Sequence, residues 1–217
     1  MFSLPMQLTA ETLNRNALNR HPTAFGEPFG LVTEQVTTGA LVVKWHQIRR
    51  SMDEDRQTLK TCGANRPSCS NATLQFLSIV KGGRSMEGRA RLGEINRAIN
   101  LKIRPMSDLA IYGQDDVWNP PLTTFALSTG DCEDYAFAKY VALQEAGVAA
   151  HDLRIVILRD NLRQTHHAVL SARLSGNWLM LDNRVMIMLQ DHQVRGYQPI
   201  FVLYHHGVRL YVAKIQS

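Results

Sequence analysis

From Ala40 to about Lys60 the apolar residues Leu41, Val42, Trp45, Ile48, Met52 and Leu59 recur mostly at helical spacing, with charged residues between them. That period predicts an amphipathic helix. The stretches Asn71 to Val80 and Met86 to Leu101 repeat it, so the first half of the chain reads as helical up to Arg104-Pro105. Ser107 to Leu127 is punctuated by Gly113, Pro120 and Pro121 and reads as loop-rich. At Gly130 the character changes. Cys132 to Ala146 is apolar nearly all round, and after Asp134 only Lys139, Gln144 and Glu145 are polar. A helix with no polar face belongs in the interior, and Gly147 stands where helices commonly end.

Beyond Gly147 the period drops to two or to short β-branched runs: Leu153 to Leu158, His167 to Arg173, Trp178 to Leu181, Ile200 to Tyr204 and Val208 to Val212. Turn residues such as Ser175-Gly176-Asn177 and His206-Gly207 separate them, as between antiparallel strands. Helices, one buried helix and then a sheet make an α+β domain, without the strand–helix alternation of a parallel fold. Residues 1–38 mix Asn, Thr, Pro and Gly without a clear period and read as a partly ordered N-terminal arm, leaving 39–217 as one domain.

Composition narrows the class. The chain has 217 residues, 45% apolar and 20% charged, enough to bury roughly 70% of its unfolded surface without a disulfide or metal to hold it together. Its aliphatic runs, Ile155 to Leu158 and Val185 to Leu189, fall far short of the ~20 residues that span a bilayer. A net charge of +5 invites a nucleic-acid reading. Only Lys81 to Arg104 concentrates basic residues, and no aromatic side chain lies among them to stack a base, so a solvated helix face explains them better. The opening MFSLPMQLTA has neither a basic start nor a continuous apolar stretch of the kind that directs export.

Cys62 and Cys69 close a short turn-rich loop, CGANRPSC, whereas Cys132 stands alone. This spacing suits one disulfide plus one free thiol, against two unpaired thiols in the cytosol. A disulfide would put the protein in an oxidising compartment. CxxC knuckles and HExxH, the marks of zinc sites, are absent.

The sharpest motif is GDCEDYA, which puts Cys132 at the start of the buried helix. Free backbone N–H groups and the helix dipole favour a thiolate there. Asp131, Glu133 and Asp134 act the other way, because three carboxylates beside a thiol push its pKa up. Either they are a plain acidic cap or a hard cation such as Ca²⁺ answers them. A thiol nucleophile also needs a base, oriented by a carboxylate or amide. His166-His167-Ala168-Val169-Leu170 and Leu181-Asp182-Asn183 offer both. A four-residue loop, Arg173 to Gly176, would set His167 directly opposite Asp182; a two-residue loop would move Asp182 out of line. Periodicity does not choose between His166 and His167, since neighbours on a strand face opposite ways.

GDCEDYAxAKYxxLxxAG, HAVL and LDN, in that order, resemble the bacterial transglutaminase-like cysteine proteinases, the family of the LapG-type periplasmic proteases. The resemblance runs from about Trp45 to the C-terminus. It implies a papain-like, transglutaminase-like α+β fold with the nucleophile on the buried helix. It also implies Cys132 as nucleophile, His167 as general base and acid, Asp182 as the orienting acid, and calcium on Asp131 and Glu133 with Asp134 as a helper. In that family the calcium-dependent enzyme clips a large cell-surface adhesin and so controls biofilm attachment, restrained by an inner-membrane receptor for cyclic di-GMP. The location implied is the periplasm. The same triad serves amide acyl transfer as in transglutaminases, and a basic non-enzymatic binding module is the remaining alternative.

Overall fold

A computed structural model describes residues 26–212. Three long helices come first: α1 (Ala40–Ala64), α2 (Asn71–Arg84) and α3 (Gly88–Lys102). They run past their periodic patterns, α1 and α2 by four residues and α3 by one. Trp45, Ile48, Met52, Phe76, Val80, Ile95 and Ile99 carry their buried faces into one core. Cys62, near the end of α1, is bonded to Cys69, which lies just before Ser70. The Ser70 hydroxyl then accepts the Thr73 amide at 3.1 Å and caps α2.

The loop-rich stretch is more ordered than its Pro and Gly content implies. It holds two short helices, α4 (Asp108–Tyr112) and α5 (Pro121–Leu127), the second started by Pro121 in its first turn, where a missing N–H costs nothing. Between and beside the helices, β2 (Arg104–Pro105) pairs in parallel with β3 (Thr129–Gly130).

Helix α6 (Cys132–Glu145) follows at once and is the central element: every residue from Asp134 to Leu143 is buried. It ends with Gly147 at φ +97°. There the Val148 amide reaches back to the Leu143 carbonyl and the Gly147 amide to that of Gln144, the paired bonds of a Schellman ending.

The second half forms the sheet, with β4 (Leu153–Asp160), β5 (Thr165–Leu174), β6 (Asn177–Leu181), β7 (Leu189–Gln190), β8 (Tyr197–Tyr204) and β9 (Gly207–Tyr211). A further strand, β1 (Thr33–Val36), comes from the segment expected to be arm, and pairs antiparallel with β9 from Thr33–Tyr211 to Val36–Val208. The order is β1-β9-β8-β4-β5-β6-β7. One face of this sheet packs on α6 through Leu153, Ile155, Leu170, Ala172, Leu179 and Leu181. The other holds a smaller cluster of Val156, Leu158, Val169 and Met180, against which Phe29, Val194, Tyr197 and Tyr211 pack.

Residues 26–38 are therefore part of the domain, and only 1–25 of the expected arm lie outside the described residues. A buried ion pair fastens the segment: Arg154 Nε donates to Glu27 Oε2 at 2.6 Å, while the Arg154 guanidinium sits 5.3 Å from the Trp178 ring and 5.2 Å from that of Tyr204.

Candidate active site

The α6 N-terminus, the start of β5 and the end of β6 meet at one place. Cys132 is the first residue of α6, as GDCEDYA predicts. Gly130 is required by close packing, since a Cβ there would lie 2.7 Å from Asp134 Oδ2 and 2.8 Å from Asp134 Cβ. Asp131 stands at the N-cap yet makes no capping hydrogen bond with its side chain. The plain-cap explanation of the acidic cluster therefore lacks its bond.

Of the two adjacent histidines, His166 is exposed and His167 is buried. His167 Nε2 lies 2.9 Å from Asp182 Oδ1, so the two are paired, although by another route than the four-residue loop. The β5–β6 turn has two residues, Ser175 and Gly176, both at positive φ, and pairs Leu174 with Asn177 and Leu170 with Leu181. Such a turn matches the twist of the strands it joins better than a looser loop. Continued by one residue, this register sets Asp182 beside Val169, two positions along from His167 on the same face. That diagonal separation is one a long side chain can cross.

Asp182 is gripped from several sides. Its Oδ1 also accepts the Arg184 amide at 2.9 Å and its Oδ2 the Tyr197 hydroxyl at 2.8 Å. Burial pushes its pKa up, but the hydrogen bond and charge of His167, with these two donors, outweigh that and hold it at about 2. Asp182 is thus an anion at neutral pH. The other ring nitrogen, His167 Nδ1, is buried without a partner among the described residues.

Cys132 is a half-buried residue, and its thiol donates to Glu133 Oε2 at 3.1 Å. Burial first, then the charges of Glu133 and Asp131, push it well above the ordinary thiol range, while the Ala168 amide, next in the chain to His167, approaches the sulfur and acts the other way. The site thus joins His167 to Asp182, and Cys132 to the peptide that follows His167.

The carboxylates are crowded. Oxygens of Asp131 and Glu133 lie within 4.8 Å of each other and of the sulfur, and oxygens of Asp108, Asp131 and Asp134 lie equally close. Burial and its neighbours' charges raise Asp131 to about 10. Asp134, raised by burial to about 7, has both oxygens engaged by Asn119, through its amide at 3.0 Å and its Nδ2 at 3.3 Å. Asp108, at 3% exposure, has Oδ1 buried and unpartnered, as has Asp131. Unpartnered buried carboxylate oxygens at this spacing are what a hard, oxygen-seeking cation takes, so the donor set fits calcium. Asp134 braces the cluster more than it opens toward it.

The sequence model described as bacterial transglutaminase-like cysteine proteinase matches residues 55–198. The chain belongs to this family. Three solved structures of Legionella pneumophila LapG resemble the proteinase, each with a TM-score of 0.60. One is 21% identical and covers 72% of this chain and 87% of its own. The calcium-bound form is 20% identical and covers 76% and 92%. At that identity the likeness shows the fold. No curated protein sequence matches the chain.

Trp118 packs on the helix: its ring centroid lies 5.0 Å from that of Phe137, with Lys44 Nζ 4.4 Å from its own. The basic stretch is partly spent inside the proteinase. Arg84 bonds the Glu145 carbonyl, Arg89 that of Met188 and Arg91 those of Gly83 and Met86. Sequence reasoning misses Asp108, Asn119, Arg184 and Tyr197, whose local sequence carries no signal. Lys139 could have been found, as a charge on a helix otherwise too apolar to hold one.

Proposed function

We propose that this proteinase is a calcium-dependent cysteine endopeptidase with Cys132 as nucleophile, His167 as general base and acid, and Asp182 as the orienting acid. One observation carries the reading: Asp182 takes His167 Nε2 and leaves buried Nδ1 free, on a residue whose neighbour's amide faces the Cys132 sulfur. A carboxylate on Nε2 fixes the tautomer with its proton there, so the basic lone pair is on Nδ1. Nδ1 draws the proton from the thiol, and the thiolate attacks the scissile carbonyl. His167 returns the proton to the leaving amine, and water then cleaves the thioester. Asp182, anionic throughout, stabilises the imidazolium formed on the way. The Cys132 amide, at the helix start, is the first oxyanion donor.

Glu133 holds the thiol in the resting arrangement. Bound calcium would supply positive charge to Asp108, Asp131 and Glu133, with Asp134 behind them, and so lower the cost of a thiolate beside them. A calcium-bound form of the Legionella relative supports this assignment.

The Cys62–Cys69 bond supports a periplasmic location, since disulfides persist in oxidising compartments. Among the described residues no helix is long and apolar enough to cross a membrane. The substrate we assign is a large surface adhesin, and the restraint an inner-membrane receptor for cyclic di-GMP. Both rest on the family resemblance of the GDCEDYA, HAVL and LDN motifs.

The test is incubation of the surface and secreted proteins of the source cell with wild type and with Cys132→Ala, in calcium and in chelator, followed by mapping of new N-termini. New termini that need both Cys132 and calcium are expected. A labelled primary amine incorporated without chain cleavage would overturn hydrolysis in favour of acyl transfer.

A further inference from the structure

Lys139 has no part in the chemistry above, yet it is wholly buried in the middle of α6. It lies seven residues after Cys132, two helical turns along nearly the same stripe. Its Nζ donates to the Leu181 carbonyl at 2.9 Å and lies 5.8 Å from the centroid of the Tyr135 ring. Packing does not explain an amine at this place, because an apolar side chain of similar volume fills such a site without the cost of desolvating a charge. That cost is visible: burial lowers the lysine to about 7, against the opposing pull of Asp182.

What the amine holds is the residue before Asp182, at the last paired position of β6. The next carbonyl, that of Asp182 itself, accepts Asn100 Nδ2 at 2.9 Å. Two consecutive carbonyls are thus gripped by side chains of α6 and α3, just where the strand stops and regular pairing no longer fixes the backbone.

We propose that Lys139 is a positioning residue, which through the Leu181 carbonyl fixes the Asp182 carboxylate against His167 Nε2. Helix α6 then carries the nucleophile at its start and, two turns on, the brace of the orienting acid. The catalytic consequence rests on the triad reading above; the positioning itself does not.

The experiment compares wild type with Lys139→Met. The downfield proton NMR resonance of the His167 Nε2–H bonded to Asp182 is followed alongside kcat and KM on a peptide spanning the mapped cleavage site. The variant should keep its melting temperature within a few degrees and its calcium affinity. Its kcat should fall by about 10–100-fold at unchanged KM, the scale of a slightly misplaced catalytic group, and the resonance should move upfield or broaden away. Wild-type kcat and an unmoved resonance would leave Lys139 as core filling and overturn the proposal. Should Lys139→Met not fold, Lys139→Gln is read by the same criteria, since its amide is one atom shorter and must draw Leu181 inward to keep the bond. If wild type cleaves no peptide, the endopeptidase reading fails while the resonance still decides the role of Lys139.

Discussion

Cys132 Sγ and Glu133 Oε2 are hydrogen-bonded to each other at 3.1 Å, so the residue after the cysteine holds the thiol proton in place. In the proposed calcium site, one carboxylate would serve both thiol and cation and so link the two. Glu133→Gln should free the thiol of one negative neighbour and at the same time weaken calcium binding. We expect alkylation of Cys132 by iodoacetamide in chelator to be faster in Glu133→Gln than in wild type, by several-fold, and to lose its response to calcium. Identical rates with and without calcium in wild type would show that the cluster does not govern the thiol.

Asp108 stands on a different element from the GDCEDYA motif, with one buried oxygen free. Asp108→Asn removes a charge from the cation's surroundings but keeps the bulk. Calcium affinity by titration calorimetry should fall by roughly tenfold or more, as charge count tunes such sites. An unchanged affinity would confine the ligands to the motif.

The crowded carboxylates have a sign in pH. Burial, then mutual repulsion, raises Asp131 to about 10 and, with Asn119 opposing, Asp134 to about 7. In the unfolded chain both ionise near 4. Above that pH the folded state binds more protons than the unfolded one, so stability falls as pH rises toward the folded values. Lys139 and His205, lowered by burial to about 7 and about 4, have the opposite slope and cancel when two samples at one pH are subtracted. The melting temperature in calcium minus that in chelator should therefore grow steadily from pH 5 to pH 8. A flat difference would remove the cation from the cluster.

With Cys62 and Cys69 joined, one thiol remains. Thiol titration of the unfolded, unreduced protein should give one equivalent and the reduced protein three. Closing so short a loop is worth about 2–3 kcal/mol, so Cys62→Ser with Cys69→Ser should lower the melting temperature by several degrees and leave the pH profile of cleavage alone.

Helices α1 to α3, the buried α6 and the strands after Gly147 other than β7 are legible in the sequence because their apolar periods differ and each matches one element. The placement of Cys132 at a helix start, crowded by carboxylates, is legible because GDCEDYA sets them side by side. The pairing of His167 with Asp182 is legible only in outcome: the expected opposite register gives way to a two-residue turn and a diagonal reach, which depend on the φ values of Ser175 and Gly176. Asp108 and Asn119 reach the site through tertiary folding of α4 and the segment after it, and no local pattern announces that. Strand β1 escapes for a related reason. Thr33–Val36 is short and alternates weakly, and becomes a strand only because β9 offers it an unpaired edge.

That edge strand sets where the polypeptide can be trimmed. A shortened chain starting at residue 39 would strip β9 of its outer neighbour, presenting a bare rung of amides and carbonyls onto which a second molecule can stack. It would also take from the guanidinium of Arg154 its counter-ion Glu27, leaving it only the His151 and Leu153 carbonyls as acceptors among the described residues. Clumping and poor yield should follow from such trimming, with the catalytic machinery untouched.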